Sequence, residues 1–396
     1  MARRTRTETV PVPSETRDRL YRMGEVAKRF VAWRPASEVL TRVRAIQTDF
    51  PQIDFATRVG GWPIERFATV HGPSSHGKTS LCHGLGLSFL RRGHFYAFID
   101  AEFTTPEDWL AKLMGGVSGH PGFVAMRPRT FEECVDGVRQ FVEGIAEARE
   151  RGELDADTSA IIVVDSIKKL TPDNLLKRIE KEGATGKKGS VDGYGGRAAQ
   201  LKAAMTAQWL DELVPLLYHT RATMVAIARE SDDPDADAFD RKFGRGWRIQ
   251  GGKALVYDAS LVVRVTREGW MRVGSREEST VVGERHKVAI WKSKVAGKED
   301  REAVGWFHTS NGVESPEGFD LAADVLELAR KLGVVDEAGA WLRFDGAKWN
   351  GETRALAALR DDTRLRTEIE KACREKFEGQ LVGERVVESR DEGGDV

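Results

Sequence analysis

The chain has 396 residues, 40% apolar and 31% charged, with a formal net charge of −1. Such a length holds roughly two or three domains around a sizeable core, and the composition is that of a soluble globular protein. Near-neutral charge excludes a global electrostatic grip on nucleic acid, so any nucleic-acid surface must be local.

In chain order, residues 1 to 13 read as irregular; Arg3, Arg4 and Arg6 precede no apolar h-region, so no signal peptide is expected. From Ser14 a helix is expected, with Leu20, Met23, Val26 and Phe30 on one face. That face suits packing on its own domain and docking on a neighbouring subunit equally well. From Ala36 to Asn311 strands and helices alternate, which argues for a mostly parallel sheet with helices on both faces.

The first core strand, Phe67-Ala68-Thr69-Val70, runs into Gly72-Pro73-Ser74-Ser75-His76-Gly77-Lys78-Thr79, with Ser80 next. This matches G-x-x-x-x-G-K-[ST], a loop whose backbone N–H groups cradle nucleotide phosphates. Lys78 would reach the β- and γ-phosphates, and the Thr79 hydroxyl would take one Mg²⁺ position. Leu81, Leu85, Phe89 and Leu90 then recur at helical spacing until Gly93, so a helix N-terminus faces the loop.

Phe95 to Ile99 reads as a buried strand ending in Asp100-Ala101-Glu102, and Thr105-Pro106-Glu107-Asp108 as a capped helix start. Thr130 with Glu133 forms a capping box for a helix to about Arg151. Ala160-Ile161-Ile162-Val163-Val164-Asp165 is the cleanest buried strand, and a carboxylate at such an end suits Mg²⁺ on the β- and γ-phosphates. Glu102 reads equally as the group that activates an attacking water and as a surface carboxylate.

Two glycine-rich stretches break the pattern. Residues 180 to 197 carry Lys187, Lys188, Tyr194 and Arg197; residues 231 to 253 turn from acidic to basic and aromatic at Arg245, Trp247 and Arg248, then close on Gly251-Gly252-Lys253. Cations for phosphates and rings for base faces suit single-stranded nucleic acid. The acidic run lacks the spacing of a calcium loop. Further strands are expected over Ala259–Val265, His286–Ile290 and Ala303–Thr309, with Lys292 and Lys294 sharing one side of a strand. A helix over Asp320–Lys331, a strand over Ala340–Phe344, helices through Phe377 and a frayed acidic tail complete the chain. Cys82, Cys134 and Cys373 are scattered, with neither metal nor disulfide spacing, which points to a reducing compartment.

This order of motifs resembles the bacterial RecA recombinase family, over nearly the whole chain. Gly60-Gly61-Trp62-Pro63, the phosphate loop, Phe98-Ile99-Asp100-Ala101-Glu102, Val164-Asp165-Ser166 with Leu170-Thr171-Pro172, Gly251-Gly252-Lys253-Ala254-Leu255, Lys292-Ser293-Lys294 and the stretch from Lys331 to Trp341 carry the likeness. It departs at His76, which replaces a small residue, at Arg229, which replaces a γ-phosphate-sensing glutamine, and in both longer DNA loops.

The resemblance implies an α/β fold with a RecA-like P-loop ATPase core, an N-terminal helix and a small α+β C-terminal domain. Its divisions would be an arm and oligomerisation helix (1–40), an ATPase and DNA-binding core (41–313), a C-terminal domain (314–380) and a tail (381–396). It implies a cytoplasmic, ATP- and Mg²⁺-dependent recombinase that forms helical filaments on single-stranded DNA and exchanges strands with homologous duplex DNA. Glu102 would be catalytic, Trp109 would lie against adenine, and Lys292 and Lys294 would reach a neighbour's ATP; Phe30 and Tyr257 would lie at subunit contacts. Alternatives of other classes are an ATP-gated DNA-binding scaffold with little strand exchange and a ring helicase with the same core.

Overall fold

The computed structural model describes Arg22 and residues 43–116, 119–177, 191–238, 246–274, 278–296, 303–312, 318–378 and 384–385, with only the backbone for 191–197 and 384–385. The chain divides into two compact units, Met1–Arg42 and Val43–Val396. The expected helix face with Phe30 lies outside the described residues, as do Lys187, Lys188, Arg245 and the acidic tail.

Short strands β1 (Arg44–Ile46) and β2 (Trp62–Pro63) pair antiparallel ahead of the main sheet. The main sheet holds β3 (Phe67–Gly72), β4 (Phe95–Asp100), β5 (Phe123–Met126), β6 (Ala160–Asp165), β7 (Ala222–Asp232), β8 (Trp247–Ile249), β9 (Leu261–Val273), β10 (Thr280–Ser293), β11 (Val304–Ser310) and β12 (Gly318–Phe319). Their order is β12-β11-β10-β9-β3-β7-β6-β4-β5, with β8 paired to β7. From β5 to β9 neighbouring strands are parallel; from β9 to β12 they are antiparallel.

The strand period decides how the sheet is covered. In β6, Ile161 and Val163 join one apolar cluster with Leu81, Leu85 and Phe89 of the helix Lys78–Leu90. Ile162 and Val164 join the other, with Phe131, Val138 and Val142 of the helix Phe131–Glu150 and Leu210 and Leu213 of the helix Val191–Thr220. Burial on both faces is why this strand reads as an unbroken apolar run. The three cysteines are buried and free, and no described helix is long and apolar enough to cross a membrane.

Several expectations shift in detail. Half of the capping box expected at Thr130 forms: its hydroxyl accepts from Glu133 N at 3.1 Å, but the Glu133 carboxylate takes Arg129 N at 2.6 Å, one residue before the cap, in place of Thr130 N. The helix Glu107–Leu113 has Pro106 at its cap and no side-chain capping bond. Proline offers no side-chain acceptor there; Asp100 takes the N–H groups of Thr104 and Thr105, both at 3.3 Å, and pairs with Arg127, so the connection folds around the end of β4. Residues 191–197, expected as loop, open the helix Val191–Thr220. Residues 247–249, also expected as loop, form β8.

Beyond β12, the helix Leu321–Leu332 is capped by Asp320, which accepts Ala323 N at 3.2 Å. A three-stranded antiparallel sheet spanning Asp336–Asn350 and the helices Glu352–Asp361 and Thr363–Glu378 follow. They enclose an apolar cluster of their own around Leu326, Val335, Leu359, Ile369 and Phe377.

Candidate nucleotide site

Parallel pairing lines up the carboxyl ends of the central strands. Gly72 is opposite Arg229, and Asp100 is opposite Asp165. Whatever follows β3, β4, β6 and β7 therefore collects at one edge of the sheet, where open α/β sheets place ligands.

After β3 the chain makes the phosphate loop. Gly72 has φ +153°, and a Cβ there would collide with the Val265 carbonyl oxygen. Gly77 has φ +87°, and a Cβ would come within 2.6 Å of the buried His286 ring. Only glycine fits either place. Gly77 is also the cap of the helix Lys78–Leu90 and offers no side chain to the first N–H groups. These donors are left for an anion, at the positive end of the helix dipole.

A cleft of about 290 Å³ opens at this edge, and Ser74, Ser75, Lys78, Thr79, Glu102, Trp109, Asp165 and Arg229 contribute to its walls. Lys78 Nζ donates to the Pro73 carbonyl at 2.5 Å, inside its own loop. Thr79 Oγ1 donates to Asp165 Oδ2 at 2.7 Å. Ser166 Oγ donates to Glu102 Oε1 at 2.9 Å, and Arg229 Nη2 donates to Glu102 Oε2 at 2.6 Å. Burial pushes the Lys78 ammonium below its usual value, against the pull of Asp165. Burial raises the Asp165 carboxyl; the Thr79 bond opposes this, and the Glu102 charge adds to it. Both groups thus lack a full complement of counter-charge, which a phosphate with its divalent cation would supply.

The Thr79 hydroxyl and the Asp165 carboxylate are hard oxygen donors side by side. Among the described residues, no cluster of three or more His, Cys, Asp or Glu could hold a metal. Mg²⁺ commonly takes one or two protein oxygens and completes its octahedron with phosphate and water. The pair fits an ion that arrives with a nucleotide.

Trp109 stands 37% exposed at the cleft, edge-on to the buried His83 with ring centroids 5.6 Å apart. His76 does not line the cleft. Its Nδ1 accepts Arg267 N at 3.0 Å, which ties the loop to β9. Ser80 lies in the first turn of the helix. Lys292 and Lys294 also stand outside the cleft. Lys292 Nζ donates to the carbonyls of Val256 (2.6 Å) and Tyr257 (2.9 Å), and Lys294 Nζ to that of Tyr257 at 2.8 Å. Those carbonyls end the short helix Ala254–Tyr257, whose Tyr257 side chain is 65% exposed.

Of the residues expected at DNA, Arg248 and Lys253 are exposed, and Gly251 and Gly252 adopt φ +112° and +109°. The side chains of Tyr194 and Arg197 lie outside the described set. Trp247 packs inward: its ring lies 4.8 Å from that of His71 and 4.7 Å from that of Trp291, with the Arg264 guanidinium 4.7 Å from its centroid.

Beneath Trp247 is a group the sequence did not disclose. Glu230 accepts Arg264 Nε at 2.8 Å and Nη2 at 3.0 Å, and it bonds His71 Nδ1 at 2.9 Å. Burial alone would raise Glu230, but these partners hold its carboxyl below the usual range. Adjacent strand residues point to opposite faces, and the bonds separate accordingly: Arg229 at the cleft, Glu230 under β8. Ser166 stood in the motif Val164-Asp165-Ser166 but was given no role of its own; its hydroxyl holds Glu102.

Comparison with known proteins places this arrangement among relatives. The RecA N-terminal domain family matches residues 31–306. Proteins named Protein RecA from Kineococcus radiotolerans and Frankia casuarinae are each 29% identical to it, over 345 and 337 residues. Those alignments cover 87% and 85% of this chain and 86% and 84% of the relatives. Protein RecA of Pseudarthrobacter chlorophenolicus is 28% identical over 359 residues, 90% of this chain and 89% of its own.

Proposed function

The chain belongs to the RecA family of recombination and repair proteins, and on that premise we propose that it is an ATP-dependent recombinase that assembles on single-stranded DNA and exchanges strands with homologous duplex. The observation that carries this reading is the division of charges. Lys78, Thr79, Asp165 and Glu102 meet in one cleft, while Lys292 and Lys294 are held together outside it, beside the exposed Tyr257.

In this reading ATP lies with its phosphates on the N–H groups of residues 74–79 and its base against Trp109. Lys78 exchanges the Pro73 carbonyl for the β- and γ-phosphates, and Thr79 and Asp165 hold Mg²⁺, which when bound screens the phosphate oxygens. Glu102 orients the attacking water and accepts its proton. Lys292 and Lys294 serve the site of an adjacent protomer, presented by the same carbonyls that hold them here. Phosphoryl transfer depends mainly on positioning and charge stabilisation, so a protomer without its neighbour hydrolyses slowly.

DNA lies on the two glycine-rich segments. Arg248 and Lys253 contact its backbone, together with Lys187, Lys188, Tyr194, Arg197 and Arg245, and Gly251 and Gly252 allow close approach. Binding is then salt-sensitive and nearly indifferent to sequence. The route from DNA to nucleotide is short: Gln250 N donates to Arg229 O at 2.9 Å, and β8 pairs Ile249 with Glu230. A shift of β8 pulls on the strand end that carries Arg229.

The Arg229–Glu102 pair also favours a second reading, a filament that holds DNA without exchanging strands, because its water-activating group is engaged. A displacement assay with single-stranded DNA, ATP and homologous duplex separates the two. A recombinase releases the displaced strand from homologous duplex only; formation of filaments without any displacement favours the scaffold.

A further inference from the structure

The two glycine-rich segments are far apart in the chain, yet their ends meet on one spot of the molecule. Lys168 and Lys169 sit in the single helical turn Ile167–Lys169, which follows β6 and Ser166. Lys202 comes from the helix Val191–Thr220, just beyond the first segment. Its Nζ donates to Thr171 Oγ1 at 3.1 Å and to the Lys168 carbonyl at 3.4 Å, which joins helix to turn. Lys168 Nζ reaches the second segment, donating to Gln250 Oε1 at 2.5 Å. Further along that segment Gly252 packs on the same helix: a Cβ there would lie 3.2 Å from the Ala203 Cβ.

The acceptors on this spot are a hydroxyl, a carbonyl and an amide, all neutral. Among the described residues none of the three lysines has a carboxylate partner, and Lys168 and Lys169 are exposed. Burial pushes the Lys202 ammonium below its usual value, and the charges of Lys168 and Lys169 push it further, with no carboxylate opposing them. Like charges gathered in this way repel, and an anion relieves them. The nucleotide does not supply it, because none of the three lines the nucleotide cleft. On the second segment the exposed Arg248 and Lys253 flank Gln250, so the cations continue past the glycine turn. A positive track of this kind follows a nucleic-acid backbone.

The geometry points to a phosphate seat: Lys168, Lys169 and Lys202 hold the backbone of single-stranded DNA where the ends of the two segments meet. The inference rests on the reading of the chain as a protein that assembles on single-stranded DNA. It adds three contacts that lie outside both glycine-rich segments. Lysine offers a point charge rather than a fork, so the seat grips phosphate without reading bases. Because Lys168 holds Gln250 and Lys202 holds the turn, a strand seated here also ties the second segment to the helix that follows the first.

The test uses the full chain with Lys168→Gln, Lys169→Gln and Lys202→Gln combined, which keeps polar side chains and removes the charges. Affinity for a fluorescent oligothymidylate is read by anisotropy, with a β,γ-imido triphosphate present, over a series of salt concentrations. Three lost phosphate contacts make the slope of log K against log salt shallower by about 2, at about 0.7 for each contact on a single strand. At low salt, binding weakens by at least about tenfold. Arginine at all three positions keeps the wild-type slope, and unchanged affinity for ADP shows that each variant is folded. A slope unchanged in the glutamine variant overturns the seat and leaves the DNA reading standing. If that variant then needs more protein to assemble, the lysines meet a neighbouring protomer instead. Failure of the wild type to bind the strand at any salt concentration overturns both.

Discussion

Two regions of the molecule hold charged side chains to opposite ends. At the nucleotide edge, Lys78, Asp165 and Glu102 are held by partners within reach of a cleft: a loop carbonyl, a hydroxyl and a half-exposed guanidinium. At the seam under the C-terminal helices the charges are sealed. Arg374 donates to Asp54 Oδ2 at 2.8 Å and to Thr48 O at 2.9 Å, and Asp54 is wholly buried. Nearby, His308 Nδ1 bonds the buried Asp324 at 2.6 Å, and Arg360 reaches the Asp320 cap at 2.6 Å. The chemistry is the same and the solvent access differs. Pairs that water can reach are exchangeable and available to a ligand; sealed pairs serve the fold.

The largest expected effect falls on the sealed side. Arg374→Ala strands the Asp54 carboxylate, whose pKa burial already pushes up to about 6 against the pull of Arg374. Global stability should drop by about 3–5 kcal/mol, and adding Asp54→Asn should recover part of it, as read by denaturant unfolding. Nucleotide affinity should not change. A loss below about 1 kcal/mol, the scale of an exposed pair, would erase the distinction between the two regions.

Lys78→Ala makes the opposite claim. Replacing one charged hydrogen bond to phosphate should weaken triphosphate binding by about 10- to 100-fold, measured by calorimetry. Melting should hardly move, because among the described residues the ammonium has only the Pro73 carbonyl as its hydrogen-bond acceptor. Unchanged affinity would remove Lys78 from the phosphate site.

A pH dependence sharpens the seam. Burial raises Asp324 to about 7, and although burial alone would lower His308, the Asp324 bond and charge raise it above 6.5. Both groups bind protons more tightly folded than unfolded, so their contribution is present at low pH and is lost as pH rises through the folded values. Glu327 and Asp320 add to the hold on His308. Stability attributable to the pair should fall from about pH 4 through about 7, where the folded Asp324 releases its proton, by no more than about 1.4 kcal/mol per pH unit for each proton released. His308→Gln should flatten that slope in unfolding curves taken across the range.

What was legible in the sequence follows from how local each feature is. The phosphate loop, the strand Ala160–Asp165 and the Thr130 cap each fit within a few residues, and each stands where the spacing put it. The Glu102–Arg229 pair joins residues 127 apart, and only the order β7-β6-β4 brings their strand ends together. The hairpin of β9 and β10 ran past its expected ends, to Val273 and from Thr280. Its outer half is partly solvated, so polar and apolar residues mix, and register shifts at Val281/Gly283 and Arg285/His286 break the alternation a sequence reader depends on. Lys292 and Lys294 were visible as a pair of cations, but not their anchorage on the carbonyls that end the helix Ala254–Tyr257.

That anchorage leads to the central claim, that one protomer grips the nucleotide and the next completes it. Lys78→Ala protein mixed with Lys292→Ala/Lys294→Ala protein tests it most directly, through ATP hydrolysis on single-stranded DNA. A shared site predicts that the mixture hydrolyses ATP where neither variant does alone, because junctions form that pair an intact Lys78 with intact lysines from the neighbour. A mixture as inactive as its parts, although both variants co-assemble on DNA, would contradict it.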